Sequence, residues 1–282
     1  MKKIMFYSYK GGSGRTVAAA NVAAAFVKFG LKTAIVDLDF EAPGLHHVFE
    51  KVTRTDQYKR GFGIQHYLRG DKSLDEVFGE IAIDLLKLPP YDMWRAPSDE
   101  HLTYIMASPK VANINSTDPN VVDRMTDLLR RLESRGTDVV IIDAASGIRD
   151  SYSIAADVSS EMLILFRWTT QHVEGTLQMV RYQKRLKEYE RSIPYKLVAS
   201  ASPSQEEINR ISDETERNLL LSLKDEITRR IEQTLEDCGA PFAHIFDEIP
   251  EMVRLKWKES ITVFDHDESP YERLARRLIE SV

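Results

Sequence analysis

The feature that most constrains this chain lies around residue 10. Ile4-Met5-Phe6-Tyr7-Ser8 is a short apolar run, Tyr9-Lys10-Gly11-Gly12-Ser13-Gly14-Arg15-Thr16 is rich in glycine, and Val17 to Val27 is dominated by alanine. The first reads as a buried strand. The last reads as a helix from Thr16 to about Phe29, with Gly30 as its C-terminal cap. Strand, glycine-rich loop and helix in that order approach the phosphate-binding pattern G-x-x-x-x-G-K-[ST]. There, loop amides and the helix N-terminus surround phosphates, the lysine neutralises them and the hydroxyl holds Mg²⁺. Two positions depart from the pattern: Tyr9 stands at its first glycine and Arg15 at its lysine, while Lys10 precedes the glycines. The plain alternative is a strand–turn–helix whose glycines only permit a tight backbone. Lys10, Arg15 and Thr16 together, between strand and helix, favour the phosphate reading.

Acids follow where such a loop needs them. Lys32 to Val36 reads as a second strand and runs into Asp37-Leu38-Asp39-Phe40-Glu41-Ala42-Pro43-Gly44-Leu45. Asp138-Val139-Val140-Ile141-Ile142-Asp143 is an apolar strand that ends in an acid, the Walker B form. In a doubly wound sheet, ligands bind at the carboxyl ends of the strands. Asp37 and Asp39 could otherwise be a solvated acidic turn.

Further strands are expected at Leu102–Ala107, Glu161–Arg167, Tyr195–Ser200 and within Phe242–Ile249. A helix is expected from Pro119 to about Arg135, with Val122, Met125, Leu128, Leu129 and Leu132 recurring at three and four. Others run from Thr169 to about Arg191, as one or two pieces from Ser204 to Cys238, and from Ser269-Pro270-Tyr271 onward. Ser204 with Glu207, and Ser73 with Glu76, have capping-box spacing. Residues 50–100 are less regular, with Pro89-Pro90 as a breaker and Tyr91 and Trp94 as packing residues. The alternation predicts an α/β fold: a doubly wound, mostly parallel sheet with helices on both faces, in one domain over 1–282 with an insertion around 50–100.

K-G-G-x-G-[KR]-T resembles the deviant Walker A loop of the ParA/MinD superfamily of P-loop ATPases, of the SIMIBI type. The arginine form is similar to the subset called KGGVGR-motif variant ATPases, as is the segment Gln171-His172-Val173-Glu174-Gly175-Thr176. The resemblance implies that Gly11, Gly12, Ser13, Gly14, Arg15 and Thr16 bind the phosphates of ATP. It implies that Thr16 ligates Mg²⁺, Asp143 holds the water shell of the metal, Asp37 supports that site and Asp39 orients the attacking water. Lys10 would reach across a nucleotide-bridged homodimer to the partner's nucleotide. Ala144 to Asp150 resembles the second switch, without the usual prolines; Gly147 would bring a backbone N–H to the γ-phosphate. Pro250 would pack on the purine. Many superfamily members place a base-reading Asn where this chain has Ala199-Ser200-Ala201-Ser202-Pro203, so base identity is not legible here. The expected function is an Mg-ATP-binding, slowly hydrolysing switch that dimerises and positions or recruits an unidentified protein partner. The alternatives are an ATP sensor with little hydrolysis, or a metabolic P-loop ligase or kinase, which would need a substrate pocket that no clustered Arg or His suggests.

Composition narrows the rest. Lys plus Arg is 38 against 44 for Asp plus Glu, a formal net charge of −6, which argues against a broad nucleic-acid surface. The single cysteine, Cys238, cannot form an internal disulfide or a Cys-ligated cluster, which excludes a nitrogenase-reductase-like role. His46, His47 and His66 show no metal-ligand spacing. Lys2-Lys3 and the apolar run after them lack a cleavage site, no stretch approaches ~20 uncharged apolar residues, and the cytoplasm is the natural address. In the last helix Tyr271, Leu274, Ala275, Leu278 and Val282 share a face, while Glu272 and Glu280 offset two of Arg273, Arg276 and Arg277. That charge balance favours docking on the sheet over membrane binding.

Overall fold

The computed structural model describes residues 1–49, 61–82, 101–108, 114–240, 242, 244–252, 254–255, 258–264 and 269–280. Among these residues the strands are β1 (Lys2–Tyr7), β2 (Thr33–Leu38), β3 (Phe78–Ala82), β4 (His101–Ile105), β5 (Val139–Ala144), β6 (Glu161–Phe166), β7 (Tyr195–Ser202) and β8 (Asp247–Pro250). They form one sheet in the order β3-β4-β2-β5-β1-β6-β7-β8. Every pairing is parallel except that of the edge strand β3 with β4. From β1 the strands β6, β7 and β8 follow in chain order toward one edge, while toward the other the order is β5, β2, β4 and β3, a sheet wound in both directions. Its central strands are mostly apolar because helices cover both faces: every residue of β2, β5 and β6 is buried, Asp37, Asp143 and Glu161 included.

One face carries α1 (Arg15–Lys28). Its small residues Ala18, Ala19, Ala20, Ala23, Ala24 and Ala25 are all buried, so the helix lies between the sheet and a further layer. The short α2 (Leu45–Val48), α3 (Ile64–Arg69) and α4 (Leu74–Val77) follow β2. The opposite face carries α5 (Pro119–Ser134), α6 (Asp150–Val158) and α7 (Thr170–Lys187). Asp118 caps α5 by accepting from the Asn120 amide at 2.9 Å. Ser204 to Cys238 forms two helices, α8 (Gln205–Asn209) and α9 (Glu214–Asp237). The final helix, α10 (Pro270–Glu280), buries Tyr271, Leu274, Ala275 and Leu278 in the same core as α1. Lys28 holds Glu272 at 2.9 Å and Arg273 holds Asp247 at 2.9 Å, so two of this helix's charges are tied to the body.

Several boundaries correct the sequence reading. The buried position at the start of α5 is Val121; Val122 is only half-buried. Asp138 precedes β5 rather than belonging to it, and its carboxylate accepts from the Lys32 amide at 2.9 Å. Strand β3 lies in the stretch expected to be irregular. Its pairing with β4 needs Gly79, where a Cβ would come within 2.3 Å of the Tyr104 ring. Val282, Pro89, Tyr91 and Trp94 lie outside the described residues.

Candidate functional site

The register of the central strands decides which acids meet. Asp37 on β2 stands opposite Asp143 on β5, and Phe6 on β1 flanks Asp143 from the other side. Both carboxylates are fully buried. Asp37 is spent on its own turn: it accepts from the amides of Asp39 at 2.9 Å and Leu45 at 3.4 Å. Burial, and then the like charge of Asp143, push its carboxyl well above the ordinary range. Asp39 lies just past the strand and accepts from the Ala42 amide at 3.0 Å. Burial also raises Asp143, with the Arg15 guanidinium the largest influence in the other direction.

The loop between β1 and α1 turns through Gly12 and Gly14, with φ of +77° and +74°. No atom would meet a Cβ at either within 4 Å, so these glycines serve backbone conformation on an open surface. Gly14 is the N-cap of α1, so the helix N-terminus opens onto the loop. Ser200 donates to the Ser13 carbonyl at 2.5 Å and ties the loop to β7. Lys10 is exposed. The Tyr9 ring lies across Gly175 of α7, where a Cβ would come within 2.3 Å of it. This contact joins two sequence features that had no visible connection, the tyrosine in place of the motif glycine and the segment Gln171–Thr176. A glycine inside a helix costs about 1 kcal/mol and was the one local hint of a close approach. Gly175→Ala should therefore lose about 1–3 kcal/mol by forcing Tyr9 away, read as a lower denaturation midpoint at unchanged slope.

Arg15 is where the structure departs most from expectation. Its guanidinium, 8% exposed, donates from Nε to Asp143 Oδ1 at 2.6 Å and from Nη2 to Asp39 Oδ2 at 2.8 Å. It was expected to face phosphate. Instead it neutralises two acids, because carboxylates buried this deeply need a partner charge. Gly147 also differs. With φ of +79°, it donates its amide to the Ser8 carbonyl at 3.1 Å, tying the segment after β5 to the loop.

Two clefts border this cluster. The first, of about 200 Å³, begins at Gly12 and Gly14 and is walled by Pro250, Met252 and Leu255. Ala201 lines it with φ of +48°, a strained value for a residue with a side chain. The second, of about 710 Å³, opens between the segments that follow Asp39 and Asp143, and Phe40, Ala145 and Ile148 line it. An ion pair of Arg149 with Glu41 joins the two segments, and Ile148 is 48% exposed. Sequence reasoning missed this cleft because its walls come from separate loops.

The residues present fit a magnesium-bound nucleotide. Asp143 Oδ2 is a buried acceptor without a partner, and the Thr16 hydroxyl accepts at 3.5 Å from Nη2 of the guanidinium that holds Asp143 Oδ1. The open glycine loop supplies a cradle for phosphate. Among the described residues, no three His, Cys, Asp or Glu side chains are arranged to hold a metal by themselves. Mg²⁺ fits such a place, since it keeps its waters and binds through one or two carboxylates plus substrate phosphates. Among the same residues, no helix is long and apolar enough to cross a membrane.

The family model of the CobQ/CobB/MinD/ParA nucleotide binding domain matches residues 4–260. No curated protein sequence matches the chain. Similar solved structures include a plasmid partition protein of Borrelia burgdorferi B31 bound to AMPPNP, with a TM-score of 0.66 and 17% identity over 100% of this chain and 99% of that one. An Asp-to-Ala variant of Cyanothece McdA in complex with ATP gives 0.66 and 14%, over 99% and 96% of the two chains. The septum site-determining protein MinD of Pyrococcus horikoshii, complexed with Mg-ADP, gives 0.60 and 15%, over 99% and 95%. At these identities the likeness is one of fold.

Proposed function

The chain belongs to the CobQ/CobB/MinD/ParA nucleotide-binding domain family, and from that premise we propose that it is a single-domain Mg-ATP-binding switch that hydrolyses its nucleotide slowly. The observation that carries this reading is the meeting of Thr16, Asp39 and Asp143 around the Arg15 guanidinium, directly after a glycine loop that borders an open cleft. The amides of residues 11–16 hold the β-phosphate, with the α1 N-terminus behind them. When bound, Mg²⁺ neutralises charge on the phosphate oxygens. Thr16 and Asp143 hold it, with Asp37 fixing the turn beside them. Asp39 orients the attacking water. The cleft bounded by Pro250 takes the base. Exposed Lys10 is free to reach a second copy across a nucleotide-bridged dimer. The larger cleft is walled by both segments that would sense the γ-phosphate, which suits a protein partner that reads nucleotide state.

A second reading has its own support. Arg15 engages Asp39, the residue needed to position water, so an ATP sensor with little turnover fits the same site.

Mg-ATP should raise the melting temperature. A ligand at ~100 times its dissociation constant adds ~2.7 kcal/mol, which is roughly 5–10 °C for a domain of this size. Differential melting with millimolar Mg-ATP checks this, with Mg-GTP alongside. No shift with either sinks the nucleotide reading. Phosphate release separates switch from sensor, and particle mass with and without nucleotide reports dimerisation.

A further inference from the structure

We propose that Arg167 and His172, at the head of α7, form a seat for a phosphate oxyanion beside the glycine loop, and that His172 takes up a proton from solvent as the seat fills. The proposal rests on the nucleotide reading above and adds a proton to it. It also gives a task to the segment Gln171–Thr176, of which the site described so far uses only Gly175.

The Tyr9 contact sets the geometry. Its ring lies against Gly175, so the first turns of α7 are pressed onto the segment that leads into the glycine loop. Residues three apart on a helix share a face, and His172 stands three before Gly175. The imidazole is therefore on the loop side of α7, one turn nearer the helix N-terminus than the Tyr9 contact. Arg167 precedes that N-terminus and lines the cleft that begins at Gly12 and Gly14. Lys10 follows Tyr9 directly.

Positive charge gathers here without local balance. Among the described residues, the acid paired with Arg167 is Glu251, at a long 3.7 Å, and neither Lys10 nor His172 has an ion pair. Glu174, two residues along α7 from His172, is taken by Arg230 at 2.6 Å. Burial, then the like charges of Arg167 and Lys10, hold the imidazole below the ordinary histidine range. The positive end of α7 acts in the same direction on a residue of its first turn. A chain of formal net charge −6 thus collects cationic groups at the mouth of its phosphate loop. An oxyanion reverses the balance. It offers the guanidinium a planar partner and favours the charged imidazole. Lys10 is exposed and stays free for a second copy. Two phosphates have this chemistry, that of the nucleotide in the same chain's cleft and that of a second copy's nucleotide. Without either, His172 is mostly neutral at pH 7. Affinity for the oxyanion therefore rises as pH falls between the bound and free midpoints, and is level outside that window.

The test follows the His172 imidazole by nuclear magnetic resonance on the full chain, its signal assigned by its loss in His172→Gln. Without ligand the midpoint should lie below the ordinary histidine value, and Mg-ATP should raise it by about one pH unit. Inorganic pyrophosphate is the second probe and should act in the same direction. Arg167→Gln should raise the ligand-free midpoint and weaken the response to both probes, which a merely structural arginine would not do. The parent should bind Mg-ATP about tenfold more tightly at low pH than at pH 8, beyond any change seen in His172→Gln. At a protein concentration that keeps the particle monomeric, a retained response assigns the oxyanion to the same chain's nucleotide. A response lost there and regained in the dimer assigns it to the second copy's, and both results uphold the seat. The seat is overturned if neither probe moves the midpoint, or if His172→Gln keeps the parent's pH dependence. A melting shift with Mg-ATP but no midpoint shift counts against the seat alone. A midpoint shift with pyrophosphate and no melting shift with either nucleotide counts against the nucleotide reading alone.

Discussion

Truncation before residue 269 should yield a chain that aggregates or melts far below the parent. Helix α10 buries Tyr271, Leu274 and Leu278 completely or nearly so, in one core with α1. Each large apolar side chain contributes about 1.5–3 kcal/mol when buried, so the three approach the ~5–15 kcal/mol by which whole domains are stable. The loss would also uncover the alanine face of α1 and break the Lys28–Glu272 ion pair. Leu274→Ala is the milder form of the experiment. It should cost about 2–5 kcal/mol through the cavity it leaves, read from thermal or urea denaturation. The opposite idea, a detachable membrane helix, makes a different forecast. The truncated chain would melt like the parent and would no longer sediment with anionic liposomes in the presence of ATP. That result would overturn the docked role of α10.

Asp39→Ala should lower single-turnover hydrolysis by about 10²–10⁴-fold and leave ATP binding intact or tighter. The reason lies in what Asp39 touches. Its carboxylate sits at the head of the loop, one oxygen on the Ala42 amide and the other on Arg15, and it is not part of the phosphate cradle. Removing it releases one of the two anchors of Arg15 and keeps the other, on Asp143. Phosphate release from pre-bound ATP, measured beside equilibrium affinity, decides the matter. Parent-like turnover would remove Asp39 from the water-positioning role.

Local patterns in the chain determined the frame of this protein. Apolar runs at Ile4–Tyr7 and Val139–Ile142 could only be buried strands, since both lack a polar face to offer water. The glycines at 11, 12 and 14, followed by alanines, set a tight turn into a closely packed helix, and the acids at 37, 39 and 143 ended strands. The spacing of Tyr271, Leu274 and Leu278 fixed which side of the last helix faces the core. All of this rests on interactions within a few residues, where sterics and periodicity leave little choice. The short edge strand β3 was not legible, because a five-residue strand exists only through its pairing with β4. Nor was the contact of Tyr9 with Gly175, or the cleft between the two segments after Asp39 and Asp143. Arg15 shows the difference most sharply. The sequence identified it as the cation of the loop, but its partners were decided by the alignment of β2, β5 and β1. Asp143 lies 128 residues further along the chain, and only the sheet register brings its carboxylate to the guanidinium. Charge is a property of the residue; which charge it meets in a buried site is a property of the fold.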